Sequence, residues 1–218
     1  MKVCTDACLL GAFVSENLPP DTVNILDIGT GTGLLSIMLA QKTAAKIEAI
    51  EINEAAAKQA RENADLSPWA DRIEIFNVAI QAFKTPKKYD LIISNPPFFE
   101  NDLKSANPER NEAKHDSGLT LQELVTAMKA LLSPTGVAAV LLPHQRTCYF
   151  KEIAEASGLF IKKIILVRPS PKHDFFRSII LMSNTKSSCT ESELYIHDND
   201  RQYSPQFVAL LKDFYLKL

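Results

Sequence analysis

Asn24-Ile-Leu-Asp-Ile-Gly-Thr-Gly-Thr-Gly-Leu-Leu-Ser36 reads as an apolar strand, a glycine-rich turn and the start of a helix. The 218-residue chain has only seven glycines, and Gly29, Gly31 and Gly33 all fall here. Glycine admits positive φ and lets a ligand approach where a Cβ would otherwise stand. In open parallel sheets, ligands sit at the carboxyl ends of the strands, where such turns lie. The stretch is therefore a nucleotide-site candidate; the plainer alternative is a tight turn that binds nothing. Its spacing is G-x-G-x-G, and Leu34 stands where the third glycine of a dinucleotide fingerprint would fall. Asp27, just before the turn, would repel the phosphates of NAD but attract a cation. S-adenosylmethionine carries an ammonium and a sulfonium and no phosphate. Glu51 ends the next strand and can accept hydrogen bonds from both hydroxyls of a ribose.

Outward from this turn, β-branched apolar runs alternate with helical patterns. Strands are predicted at 24–28, 46–51, 72–77, 89–94, 136–142, 159–167 and 175–183. Helices are predicted at 33–42, 54–65, 121–132, 146–156 and 205–215. Leu121, Leu124, Val125, Met128, Leu131 and Leu132 form an i, i+3, i+4, i+7 stripe, with Thr120 and Glu123 as a capping box. Strands separated by helices imply an α/β, doubly wound, mostly parallel Rossmann-like sheet. The strands at 159–167 and 175–183 lack an intervening helix and should form an antiparallel edge hairpin. Residues 98–118 and the Ser/Thr-rich 184–192 read as loops, the second as mobile. One domain over residues 1–218 is expected, with a core at 21–183 and a C-terminal extension at 184–218.

Composition bounds the class. The chain is 46% hydrophobic and 23% charged, ordinary globular values. No apolar run approaches a membrane span, and the N-terminus lacks a signal pattern, so a cytoplasmic protein is expected. The net charge is −2, so a nucleic-acid partner would be held by a local patch. Cys4, Cys8, Cys148 and Cys189 form no CxxC or paired-His pattern; free thiols are expected and a metal is not.

Asp27-Ile-Gly-Thr-Gly-Thr-Gly33 with Glu51 resembles the cofactor motif of class I S-adenosylmethionine-dependent methyltransferases, whose sheet has seven strands with the last antiparallel. Tyr89-Asp-Leu-Ile-Ile-Ser-Asn-Pro-Pro-Phe98 resembles the motif of members that methylate a planar nitrogen. An aryl amine is a poor nucleophile because its lone pair is delocalised. The Asn95 side-chain carbonyl and the Pro96 backbone carbonyl can each accept one N–H and localise that lone pair. Pro96 and Pro97 hold φ fixed, and Phe98 can stack on the base.

A closer resemblance is to the bacterial tRNA(Val) adenine N6-methyltransferases, which modify the adenine just 3′ of the anticodon. It is carried by Met1-Lys-Val-Cys-Thr-Asp-Ala-Cys-Leu-Leu-Gly-Ala12, by Ala113-Lys-His-Asp-Ser-Gly-Leu119 and by the Asp213-Phe-Tyr ending. It implies S-adenosylmethionine as cofactor, tRNA as partner, a monomer, and a helix at Leu9-Leu-Gly-Ala12 beside the cofactor. Thr5, Asp27, Gly29, Gly31, Gly33, Glu51, Ile52, Val78 and Ala79 are the cofactor residues it implies. The departures are Cys4 in place of a usual Gly and Ala7-Cys8 in place of a Gly-Val-like pair. The family also has a short segment before this motif that helps cover the cofactor, and this chain begins inside the motif. Ribosomal RNA, DNA and a protein glutamine stay open as acceptors, although the glutamine enzymes generally carry Tyr where Phe98 stands.

An RNA surface has one sequence candidate. Lys162, Lys163, Arg168, Lys172 and Arg177 surround a single acid, Asp174, with His173, Phe175 and Phe176 interleaved. Lysine and arginine there can neutralise phosphates, and an aromatic can stack on a loop base. Lys172, Arg177 and His115 are the substrate candidates; solvated edge lysines and a structural histidine are the competing reading.

Overall fold

The computed structural model describes residues 4–97 and 119–217. Eight strands form one sheet: β1 Asn24–Ile28, β2 Lys46–Glu51, β3 Ile73–Asn77, β4 Tyr89–Ser94, β5 Leu132–Pro143, β6 Phe160–Arg168, β7 Arg177–Ser183 and β8 Thr190–Tyr195. Their order is β3-β2-β1-β4-β5-β7-β6-β8. β1 to β5 run parallel, and β7 is antiparallel to both β5 and β6. The chain winds outward from β1 to β3, then reverses to β4, so β1 and β4 flank the topological switch point.

The helices are α1 Thr5–Glu16, α2 Leu34–Lys42, α3 Glu54–Asp65, α4 Leu121–Leu131, α5 Thr147–Ala156 and α6 Pro205–Leu211. Side chains of α1, α2, α3 and α6 pack with Ile25, Leu91, Ile93, Ala139 and Leu141 on one face of the sheet. Those of α4 and α5 pack with Leu26, Ile92, Val140 and Leu142 on the other. Successive strand residues point to opposite faces, so a strand apolar at every position is what two helical layers require.

α1 is buried along its whole middle, Ala7 through Val14. A helix enclosed by the sheet, α2 and α6 has no polar stripe. Gly11 makes that enclosure possible: a Cβ there would stand 2.8 Å from Met38 Sδ. The C-terminal segment braces α1 and α2. Lys42 pairs with Asp213, Gln41 Nε2 donates to Asp213 O at 2.8 Å, and Tyr215 packs against the core cluster that contains Cys8.

Beyond shifts of element ends by a few residues, several details differ from the sequence reading. The sheet has eight strands rather than seven, because residues 190–195 form β8 on the outer side of β6, in parallel register Lys163↔Thr190 to Arg168↔Tyr195. Part of the expected 184–192 loop is therefore strand. The 159–167/175–183 hairpin consequently lies inside the sheet, with β8 at the edge. α2 starts at Leu34, because Gly33 has φ +86° and cannot be helical. β5 begins at Leu132, where α4 was expected to end, because Leu132 pairs with Tyr89 across a bulge. Among the described residues no helix is long and apolar enough to cross a membrane.

Gly136 sits where β5 crosses close to β4: a Cβ there would lie 2.8 Å from the Tyr89 carbonyl oxygen and 2.9 Å from Leu132 Cδ1. Backbone cannot yield as the Met38 thioether can. Gly136→Ala is expected to cost about 1–3 kcal/mol. For a chain this size each kcal/mol lowers Tm by about 2–4 °C. Gly11→Ala should cost less, because alanine regains about 1 kcal/mol of helix propensity. Thermal melts followed by circular dichroism compare the two.

Candidate functional site

The site is built on the carboxyl ends of β1 to β4. β1 runs Asp27-Ile28 into a turn in which Gly29, Gly31 and Gly33 have φ of +71°, +60° and +86°. Residues with a Cβ rarely adopt such values, so the three glycines are what this path requires. The turn is tied to the neighbouring strand. Gly29 N and Thr30 N both donate to Ile50 O, at 2.9 and 3.1 Å.

Glu51 closes β2 and is half-buried. Its Oε2 accepts from Gly31 N and its Oε1 from Asn53 N, each at 2.9 Å. A carboxylate has about four lone-pair sites, so two stay available after holding both loops. Ile52 follows, 65% exposed. Asn77 at the end of β3 donates to the carbonyls of Glu51 and Ile52, and Val78 N donates to Glu51 O. This brings Val78 and Ala79, both half-buried, alongside Glu51 and Ile52.

Asp27 is completely buried. Thr30 Oγ1 and Ser36 Oγ both donate to its Oδ2, at 2.6 and 2.7 Å, while Oδ1 has no partner among the described residues. Burial pushes its carboxyl up to about 6, against the two hydroxyl donors, which pull it down. Sequence reasoning singled out Asp27 but missed Thr30 and Ser36. Their signal was two hydroxyls three and nine positions after the acid.

β4 ends at Ser94, whose hydroxyl donates to Ile28 O at 2.8 Å and ties this exit to that of β1. Asn95 follows, half-buried, with its side-chain Oδ1 buried and unpartnered among the described residues. Pro96 is buried and Pro97 exposed. Phe98 and His115 lie outside the described residues.

Thr5 opens α1, with Asp6 next to it. Asp6 Oδ2 accepts from Arg177 Nε at 2.8 Å, which clamps the first turn of α1 to the start of β7. Three of the five cations counted as an RNA patch are thus engaged in the fold. Besides Arg177, Arg168 is ion-paired with Glu193 at 2.5 Å, and Lys163 lies over the Phe13 ring at 5.1 Å. Lys172 is exposed on the β6–β7 connection.

The methyltransferase small domain family matches residues 8–152. The chain is 42% identical to the tRNA1(Val) (adenine(37)-N6)-methyltransferase of Trichodesmium erythraeum, covering 100% of this chain and 92% of that one. It is 39% identical to the protein of the same name from Bacteroides fragilis, with the same coverage. The chain belongs to the tRNA1(Val) (adenine(37)-N6)-methyltransferase family. It is an S-adenosylmethionine-dependent methyltransferase. The fold agrees: a crystal structure of a protein described as a predicted O-methyltransferase from Agrobacterium tumefaciens superposes with a TM-score of 0.71 at 19% identity, covering 95% of each chain.

The residues of this family member suit its cofactor. A Cβ on Gly29 would meet nothing within 4 Å, so the turn faces open space. The same strand ends carry Asp27 Oδ1, unpartnered among the described residues, the spare acceptor sites of Glu51 and the apolar, exposed Ile52.

The raised Asp27 carboxyl makes a stability prediction. A native acid ionising near 6 rather than at its ordinary 3.8 holds its proton more tightly than the unfolded chain does. Stability therefore falls as pH rises from about 4 to about 6, and the loss, on the order of 3 kcal/mol, persists above. Asp27→Asn removes it. In urea titrations of the ligand-free enzyme, the variant should match the parent near pH 4 and unfold at higher urea at pH 8. An equal midpoint at pH 8 would show that Asp27 carries no such cost.

Proposed function

We propose that this enzyme transfers the methyl group of S-adenosylmethionine to N6 of adenine 37 in tRNA1(Val), acting as a monomer in the cytoplasm. The observation that supports the acceptor half is Asn95 Oδ1, a buried acceptor at the exit of β4 without a partner among the described residues. A buried unpaired carbonyl costs about 1–3 kcal/mol, so its retention calls for a ligand donor. The end-to-end similarity to enzymes named for this reaction supports the choice of adenine in tRNA.

In this reading Asp27, the Gly29–Gly33 turn and Thr5 hold the amino-acid portion of the cofactor. Glu51 accepts from the ribose hydroxyls, and Ile52, Val78 and Ala79 border the adenine ring. Bound S-adenosylmethionine would supply an electrophilic methyl group, the S–CH3 bond breaking as the N–CH3 bond forms and leaving a neutral thioether. Asn95 Oδ1 and the Pro96 carbonyl each accept one N6–H of the target adenine. This turns the nitrogen lone pair out of conjugation and toward the methyl group. The nitrogen becomes acidic once alkylated, so no strong base is needed to remove its proton. Holding both reactants in line supplies much of the rate. Phe98 stacks on the flipped base, with Lys172 and His115 as the RNA contacts, while Arg177, paired with Asp6, holds α1 against β7.

Labelled S-adenosylmethionine, incubated with tRNA from a strain lacking the modification, should yield N6-methyladenosine at position 37. Label in protein and never in RNA would reject the reading. Asn95→Ala should lower kcat by about 10²-fold or more, the scale of losing one aligned hydrogen-bond partner of a transition state. Calorimetry should find its S-adenosylmethionine affinity intact; unchanged turnover would remove Asn95 from the mechanism.

A further inference from the structure

His144 stands one residue beyond β5, the strand beside β4, at the same carboxyl edge that carries Asn95. Nothing in the mechanism above uses it, yet its ring is fixed from three sides. His144 N donates to Phe176 O at 3.1 Å, which anchors the backbone. The Phe175 ring packs against the imidazole, 5.4 Å between centroids and tilted by 53°. The third constraint is a buried chain of two hydroxyls: Thr147 Oγ1 donates to Ser178 Oγ at 2.8 Å, and Ser178 Oγ lies 3.2 Å from His144 Nδ1.

Counting protons along that chain sets the tautomer. Ser178 is fully buried, so its hydroxyl proton needs an acceptor. It already accepts from Thr147, and the acceptor it has among the described residues is His144 Nδ1. Nδ1 therefore accepts and Nε2 carries the N–H. No described residue pairs with Nε2, and the residue is half-buried rather than enclosed, so this donor is oriented and without a partner among the described residues. A histidine serving only to fill space would not need two buried hydroxyls to choose its tautomer.

We infer that His144 is an RNA-contact residue whose Nε2–H donates to a phosphate oxygen of the nucleotide next to the methylated adenine, and that Ser178 and Thr147 position it. The inference rests on the proposed tRNA substrate. The phosphate is the favoured acceptor because a target base drawn into the site brings its flanking backbone over the neighbouring strand exit. Contacts to backbone phosphates set register and orientation without reading sequence.

The test compares steady-state kinetics on unmodified tRNA for the wild type, His144→Ala, His144→Gln and Ser178→Ala, with S-adenosylmethionine affinity measured by calorimetry. His144→Ala should raise KM for tRNA about tenfold, the scale of one good hydrogen bond, with the loss in kcat/KM residing mainly in KM and cofactor affinity unchanged. Glutamine can place an N–H near the Nε2 position, so His144→Gln should recover most of the loss. Ser178→Ala should show a smaller rise in KM. A tRNA carrying a methylphosphonate at the flanking position should weaken the wild type and leave His144→Ala no worse. The inference is overturned if His144→Ala keeps the wild-type KM, if glutamine gives no recovery, if cofactor affinity falls in parallel, or if the methylphosphonate adds its full loss to that of His144→Ala. A wild-type enzyme that methylates no tRNA overturns the proposed function and this inference together; an active wild type with an indifferent His144 overturns this inference alone.

Discussion

The turn after β1 must reverse within five residues, from a central strand into a helix packed on the same sheet. Only a left-handed path does this, and Gly29, Gly31 and Gly33 all lie at positive φ to make it. The turn does not stand alone. Its amides bond to Ile50 and Glu51, Glu51 holds Asn53, and Asn77 holds the carbonyls of Glu51 and Ile52. The exits of β1, β2 and β3 thus form one hydrogen-bonded unit hung from the glycines. Ser94 adds β4 through the Ile28 carbonyl. A shift in the glycine turn would move every residue of the candidate site at once.

Two polar atoms inside this unit lack partners among the described residues, Asp27 Oδ1 and Asn95 Oδ1. Buried polar groups are nearly always paired, and the exceptions gather where a ligand completes them. The two orphans sit at the ends of adjacent strands, Asp27 within β1 and Asn95 just beyond β4, on either side of the switch point. One is a carboxylate oxygen that attracts a cation; the other is an amide carbonyl that awaits an N–H. On the proposed reading each is satisfied by a different reactant, and the fold is less stable without them. Stability given up in the ligand-free state is thereby recovered on binding, which links folding to occupancy.

The core of the sheet was legible because β1, β2 and β4 carry short apolar runs, Ile25-Leu26, Ala49-Ile50 and Leu91-Ile92-Ile93, bounded by glycine, asparagine and proline punctuation. β8 was missed for the opposite reason. It is the edge strand, Thr-Glu-Ser-Glu-Leu-Tyr, with only Leu194 buried, so it carries no apolar run to read. α1 was placed only through family resemblance. A helix buried on all sides shows no 3.6-residue stripe, and its two-leucine, glycine, alanine run could equally be strand. The candidate site carried a signal where chemistry demands a residue type, as at the glycines, Asp27, Glu51 and Asn95, the residues proposed for it. It was illegible where tertiary pairing decides a role. Arg177 and Arg168 looked like phosphate ligands by local charge, but acids 171 positions upstream and 25 downstream face them in the fold.

The strand order carries a further consequence. Everything the proposal assigns to the cofactor hangs from β1, β2 and β3, apart from Thr5 on α1. The carboxyl ends of β5, β6 and β8 and the start of the antiparallel β7 lie on the other side of β4. Along that second half runs a continuous stack. His144 packs against Phe175, Arg168 lies 4.9 Å over Phe175 and 4.8 Å over Tyr195, and these residues follow β5, β7, β6 and β8 in spatial order. Arg168 is neutralised by Glu193, so the stack offers firm shape more than net charge. This suits a protein of net charge −2 that must still seat a polyanion. Affinity need not come from bulk electrostatics if a rigid edge holds the loop and one buried carbonyl takes the base. On the proposed reading the switch point divides the labour: the methyl donor would approach from the β1 side and the acceptor from the β5 side, with Asn95 at the boundary where the two meet.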